Sequence, residues 1–176
     1  MKKVLSILAL IATIAHADDQ TSCMASYIQA SNPRITHQTA LNIANAARYA
    51  AYSFDRDRPH YVHPYVLLAI AKNESSFNPG VGRNKYGAHG LMQVVPRYHQ
   101  TNITKAVFRT DSDSLDDLST NMVAGAEAFR EMITRARGSR TKAVQLYAGF
   151  NTQAEARPYL NKMLTTIKQL SSACGV

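Results

Sequence analysis

Apolar residues along the chain recur at three- and four-residue intervals and do not alternate, which predicts a mainly α fold. Ala40, Ala44, Ala47 and Ala51 line one face of a first helix, which the stretch Asp55-Arg56-Asp57-Arg58-Pro59 stops. A second helix opens at Pro64, whose missing N–H costs nothing in a first turn, and continues through Tyr65 to Ala71, an almost wholly apolar run that predicts a central position. Ser119 is placed to cap a third helix with a stripe of Met122, Ala126, Phe129 and Ile133, and with Glu131 and Arg135 as an i,i+4 pair. A short fourth helix is predicted near 141–147. The last, near 156–170, carries Leu160, Met163, Leu164, Ile167 and Leu170 toward the core. Two stretches break the pattern. Residues 75–90 hold Gly80, Gly82, Gly87 and Gly90, four of the eight glycines, and form a loop with room for a short β-hairpin. Residues 111–117 hold four aspartates and read as a solvated loop leading into the third helix.

Length and composition limit what these helices can build. A chain of 176 residues with 45% apolar content supports one core and one domain, and excludes disorder of the whole. Residues 1–17 read as a secretory signal: Lys2 and Lys3 precede an apolar run from Val4 to Ile14, then Ala15-His16-Ala17 supplies a small-x-small cleavage site. The run is well short of the ~20 residues that cross a bilayer, so no stable membrane span is expected after cleavage, and residues 18–176 form the single domain. Loss of Lys2 and Lys3 leaves 18 basic residues against 12 acidic. Export to an oxidising compartment, periplasmic or extracellular, lets Cys23 and Cys174 pair as a disulfide; two separate buried thiols are the alternative.

One carboxylate stands alone. Glu74 is the only acidic residue between Asp57 and Asp111, an interval with seven Lys and Arg residues. Leu67, Ile70, Glu74 and Phe77 fall at i, i+3, i+7 and i+10, so Glu74 occupies a place where the helical stripe calls for an apolar residue. Burial there disfavours the charged form and makes a proton donor near neutrality, whereas a helix ending one turn earlier leaves Glu74 solvated. A donor beside a glycine-rich loop suits cleavage of a glycosidic bond. The usual scheme needs a second carboxylate within ~10 Å, and none is near in sequence unless the 111–117 loop folds back. A 2-acetamido sugar removes that need by attacking through its own carbonyl oxygen, which favours an N-acetylated polysaccharide as substrate.

The segments ESSFNP at 74–79 and YGAHGLMQVVP at 86–96 resemble the core motif of the soluble-type (SLT) lytic transglycosylases, relatives of goose-type lysozyme. STNMVAGAEAFREMI at 119–133, with Asn121 and Gly125 at recurring positions, AVQLYAGFN at 143–151, and Tyr159 with Asn161 to Met163 extend the resemblance over about residues 60–165. It implies a lysozyme-like helical domain with Glu74 as catalytic acid and base. It further implies a substrate-binding set of Ser75 and Ser76 at the helix end, Gly90, Leu91, Met92 and Gln93 along the sugar cleft, and Tyr147, whose hydroxyl approaches the carboxyl. Met92 is expected to pack on a sugar face and Gln93 to hydrogen-bond. The implied reaction cleaves peptidoglycan strands between N-acetylmuramic acid and N-acetylglucosamine, leaving a 1,6-anhydro end, with no cofactor and no metal. Small exported members open the wall for secretion, conjugation or pilus machines, whose components are the expected partners. Two positions depart from the family pattern: Ala148 stands where Asn is usual, and Tyr98 where Thr is usual.

Other chemistry finds little support. His60 and His63 share a turn but lack the HExxH zinc arrangement. The glycine loop lacks the GK[ST] ending of a phosphate site, there is no GxSxG elbow, and the basic residues form no long tract for nucleic acid. A hydrolytic muramidase and a non-catalytic wall-binding assembly protein remain the alternative functions.

Overall fold

A computed structural model describes residues 19–52, 61–82, 84–110 and 114–175. The signal segment, His60 and the expected helix stop at 55–59 lie outside them. The described residues form seven helices and no sheet: α1 (19–31), α2 (His37–Tyr52), α3 (Pro64–Ser75), α4 (Pro96–Thr110), α5 (Leu118–Arg135), α6 (Arg140–Tyr147) and α7 (Gln153–Cys174). The expected hairpin reduces to one antiparallel bridge, in which His89 and Val94 exchange hydrogen bonds of 2.9 and 3.0 Å.

Helix α5 is the centre of one half, packing on α2, α4 and α6, while α3 packs between α2 and α7. The alanine face of α2 is buried along its length, and such small side chains let neighbouring helices approach closely. Helix α3 is buried on nearly every side, as its apolar run requires; His63 caps it by accepting from the Tyr65 N–H, and Pro64 occupies its first turn. The start of α5 corrects the sequence reading: Asp117, not Ser119, caps it, accepting from the Thr120 N–H at 2.8 Å. Glu131 also turns from Arg135 to α4, where it accepts from Asn102 Nδ2 at 2.8 Å. On α7, Met163 and Leu170 are buried as expected, but Leu164 is 54% exposed and Thr166 takes a buried place beside them. The apolar arc of this helix is narrower than its leucines suggest.

Two elements were not anticipated. Helix α1 buries Thr21, Met24, Ala25 and Ile28 at helical spacing, and its Tyr27 hydroxyl bonds Gln169 of α7 and accepts from Lys72 Nζ of α3. Helix α4 is largely polar, with backbone angles that leave the helical region at His99. Cys23 and Cys174 form a disulfide between α1 and the end of α7. It closes a loop of 151 residues in sequence, and chain entropy gives such a link roughly 4 to 5 kcal/mol.

Candidate active site

Glu74 lies in the last turn of α3, and local backbone geometry determines what it faces. The helix stops one residue later because Ser76 and Phe77 both adopt left-handed conformations, with φ of 53° and 59°. Two such non-glycine residues in succession cost on the order of 1 kcal/mol each or more, and neighbouring contacts hold them. Asn32 Nδ2 donates to the Ser76 carbonyl, the Asn78 N–H donates to that of Ser75, and Phe77 is fully buried edge-on against Tyr27. Phe77 thus reaches the core through this turn, not as a continuation of the helical stripe.

The glycine-rich loop that follows is pinned to α5 by a single side chain. Asn121, buried on α5, accepts from the Met92 N–H at 2.8 Å and donates to the carbonyls of His89 and Leu115 at 3.0 and 3.1 Å. Gly90 permits this contact, because a Cβ there would stand 2.3 Å from Asn121 Nδ2, and its φ of 66° favours glycine independently. One turn along α5, Gly125 leaves a slot that Met92 fills; a Cβ at Gly125 would approach Met92 Cβ to 2.6 Å.

A cleft of about 660 Å³ opens beside this loop, bordered by Glu74, Gln93, Tyr86, Tyr98, Tyr147 and Ala148 among others. Glu74 is the one carboxyl among the described residues that line it. Asp116 approaches His89 and Asp117 caps α5, while Asp111 and Asp113 lie outside the described residues. Burial pushes the Glu74 carboxyl above its ordinary value, and a hydrogen bond from Tyr159 opposes the shift in part. That bond is short, with the Tyr159 hydroxyl donating to Oε1 at 2.6 Å. Among the described residues no protein group hydrogen-bonds Oε2, so this oxygen is left to meet a ligand.

Three of the candidate residues, Glu74, Gln93 and Tyr147, meet in the cleft. Gln93 is braced by its own loop, donating to the Gly90 carbonyl at 2.8 Å and accepting from Asn84 Nδ2 at 3.1 Å. The other candidates act differently from the sequence expectation. Met92 is 0% exposed, so it cannot lie on a sugar face; it packs beneath the cleft in the Gly125 slot. Leu91 and Gly90 are buried with it. Ser75 turns inward to bond the Ala71 carbonyl, and Ser76 is exposed on a separate surface depression with Asn32 and Asn78.

Tyr147 is close enough to Glu74 for the carboxylate charge to act on it, yet its hydroxyl donates to the Met92 carbonyl at 2.8 Å. The phenol that reaches the carboxyl is Tyr159. Both phenols have their pKa raised by burial, with the nearby carboxylate adding to the shift, so both stay protonated donors across the physiological range. Tyr159 is delivered by α7, whose first turn is fixed by a capping box between Thr152 and Glu155, and Asn73 Nδ2 donates to the Tyr159 carbonyl at 3.0 Å. Buried Gln145 ties down the turn before it through the carbonyls of Phe150 and Asn151, and the Phe150 ring stands edge-on to Tyr159. The sequence signal for Tyr159 was its place in the closing-helix motif; a sequence separation of 85 positions hid its contact with Glu74.

An all-helical domain with a desolvated acid on the wall of a loop-bordered cleft is of the lysozyme-like class. Within it, the chain belongs to the transglycosylase SLT domain family, which it matches over residues 51–167, and whose lytic transglycosylase activity acts on peptidoglycan. No curated relative and no solved structure matches the chain.

Proposed function

We propose that this chain is an exported lytic transglycosylase whose residues 18–176 form one catalytic domain after cleavage at Ala17, cutting the β-1,4 bond between N-acetylmuramic acid and N-acetylglucosamine. The observation that carries the reading is Glu74, the one carboxyl lining the cleft among the described residues, with burial favouring its protonated form. Protonated Glu74 gives its proton to the bridging oxygen as the C1–O bond breaks, and the 2-acetamido carbonyl oxygen of the muramyl residue bonds C1 in its place. The Tyr159 hydroxyl, already directed at Oε1, stabilises the carboxylate that this leaves. Glu74 then takes the proton of the muramyl C6 hydroxyl as that oxygen displaces the acetamido oxygen from C1. A 1,6-anhydro ring results, water is not consumed, and the carboxyl is restored.

Mass spectrometry of digested sacculi tests the reaction. Anhydromuramyl ends, lighter by one water than reducing ends, are expected from the wild type and absent with Glu74→Gln. Reducing ends alone would make the chain a hydrolytic muramidase. Binding to sacculi with no cleavage by the wild type would make it a wall-binding protein.

A further inference from the structure

The last turn of α3, which carries Glu74, is held from two sides. On one side stands α7: Asn73 Nδ2 donates to the Tyr159 carbonyl at 3.0 Å, and the Tyr159 hydroxyl donates to Glu74 Oε1 at 2.6 Å. On the other stands α1 with the loop that follows it. Lys72 Nζ donates to the Tyr27 hydroxyl at 2.6 Å, Phe77 packs edge-on against the Tyr27 ring, and Asn32 Nδ2 donates to the Ser76 carbonyl at 3.0 Å. The two supports are joined to each other, because the Tyr27 hydroxyl donates to Gln169 Oε1 at 2.8 Å and Cys23 is bonded to Cys174. The family match begins at residue 51, so α1 and its loop lie outside it.

Asn32 is oriented for its contact with α3. It directly follows α1; its N–H donates to the Ile28 carbonyl at 2.9 Å, and its Oδ1 accepts from the Arg34 N–H at 3.2 Å, which leaves Nδ2 directed at Ser76. What it holds is a conformation that the residues of the turn oppose. Ser76 and Phe77 are both left-handed, and the ordinary choice for residues with a Cβ is right-handed backbone, which would carry the helix on and take Phe77 out of its buried place. A helix end whose terminal turn is not fixed frays, and Glu74 lies two residues before Ser76.

We propose that Asn32 is a positioning residue for the reaction: by clamping the Ser76 carbonyl it keeps the final turn of α3 closed, and so keeps the Glu74 carboxyl seated against Tyr159 at the cleft. The inference rests on the proposed role of Glu74 as the acid.

The test is Asn32→Ala, assayed by release of anhydromuramyl ends, with circular dichroism to confirm the fold. kcat should fall roughly tenfold with KM for the glycan within about twofold, because misplacing a catalytic group costs rate more than binding. Asn32→Asp keeps an acceptor for the Arg34 N–H and removes only the donor, so it should lose as much. Burial is the larger cause of the raised Glu74 pKa, and fraying exposes the carboxyl, so in Asn32→Ala the alkaline limb of the rate profile should move down. Tyr147 of α6 and Tyr159 of α7, the titratable groups that act with this carboxyl, stay protonated and leave the limb to Glu74. Ser76→Gly added to Asn32→Ala should restore kcat to within about twofold of wild type, since glycine adopts the left-handed turn without a clamp. Unchanged kcat and limb in folded Asn32→Ala, or a loss that Ser76→Gly leaves uncorrected, would overturn the inference and leave the lyase reading intact. A wild type that cleaves no glycan would overturn the lyase reading alone; titration of the Glu74 carboxyl by ¹³C NMR, with and without Asn32→Ala, would still decide whether Asn32 seats it.

Discussion

The floor and the rim of the cleft are built on opposite principles. The floor consists of buried parts with fixed partners: Asn121 with three hydrogen bonds, Met92 in the slot of Gly125, and Tyr159 on Glu74. The rim consists of exposed tyrosines and cations at Tyr86, Tyr98, Lys85 and Arg97, with few bonds to the rest of the molecule. Substitutions in the floor should therefore cost chemistry or stability, and substitutions at the rim should change only what is held. The two departures from the family pattern, Tyr98 and Ala148, both border the cleft, and neither bonds Glu74.

The strongest challenge to this division is Glu74→Gln, for which a loss of about 10³-fold or more in glycan cleavage is expected with the fold retained. The same variant reports on burial. A carboxyl whose folded-state pKa is raised binds its proton more tightly in the folded than in the unfolded chain, so its contribution to stability is complete below the unfolded value and is lost as pH rises through the folded one. Denaturant titrations from acid to neutral pH should show wild type losing stability relative to Glu74→Gln across that window; parallel curves would mean that the carboxyl is not desolvated. Asn121→Ala comes next, removing partners from three backbone groups and costing about 3 kcal/mol in urea unfolding. A cost below ~1 kcal/mol would show the loop to be held by something other than Asn121.

Tyr159→Phe probes the boundary between chemistry and structure. The lost hydrogen bond favours the ionised carboxyl, so its removal should raise the Glu74 pKa further and move the alkaline limb of the rate profile upward, with kcat lower by roughly tenfold. An unmoved limb would reduce Tyr159 to packing. The smallest effect is expected for Tyr98→Ala: stability within ~0.5 kcal/mol of wild type and KM raised roughly threefold. A large loss of stability there would erase the distinction between rim and floor.

What could be read in advance follows the same division. The burial of α2, α3 and α5 was legible because their apolar spacing is strong, and the desolvation of Glu74 was half legible, since the stripe of Leu67 and Ile70 leads to it but Phe77 reaches the core by a turn. Helix α4 was not, since its polar sequence offers little stripe, with Asn102 and Ala106 buried, and its backbone breaks at His99. Helix α1 was hidden by similar weakness, with Thr21 and Ala25 among its four buried positions. Met92 and Leu164 exchange their expected environments because composition marks a residue as apolar without saying which side of the backbone meets protein. Gly125 leaves the slot that the methionine fills, and Asn121 and Tyr147 fix its backbone.

Helical bundles ordinarily begin to fray at their chain ends, where the last turns have the fewest neighbours. Here α1 and α7, the first and last helices among the described residues, are fastened to each other by Cys23 and Cys174, so neither can peel away alone. The amides of the final turn of α7 should consequently exchange with solvent far more slowly than those of an untethered terminus, and reduction of the bond should release them before α3 is affected.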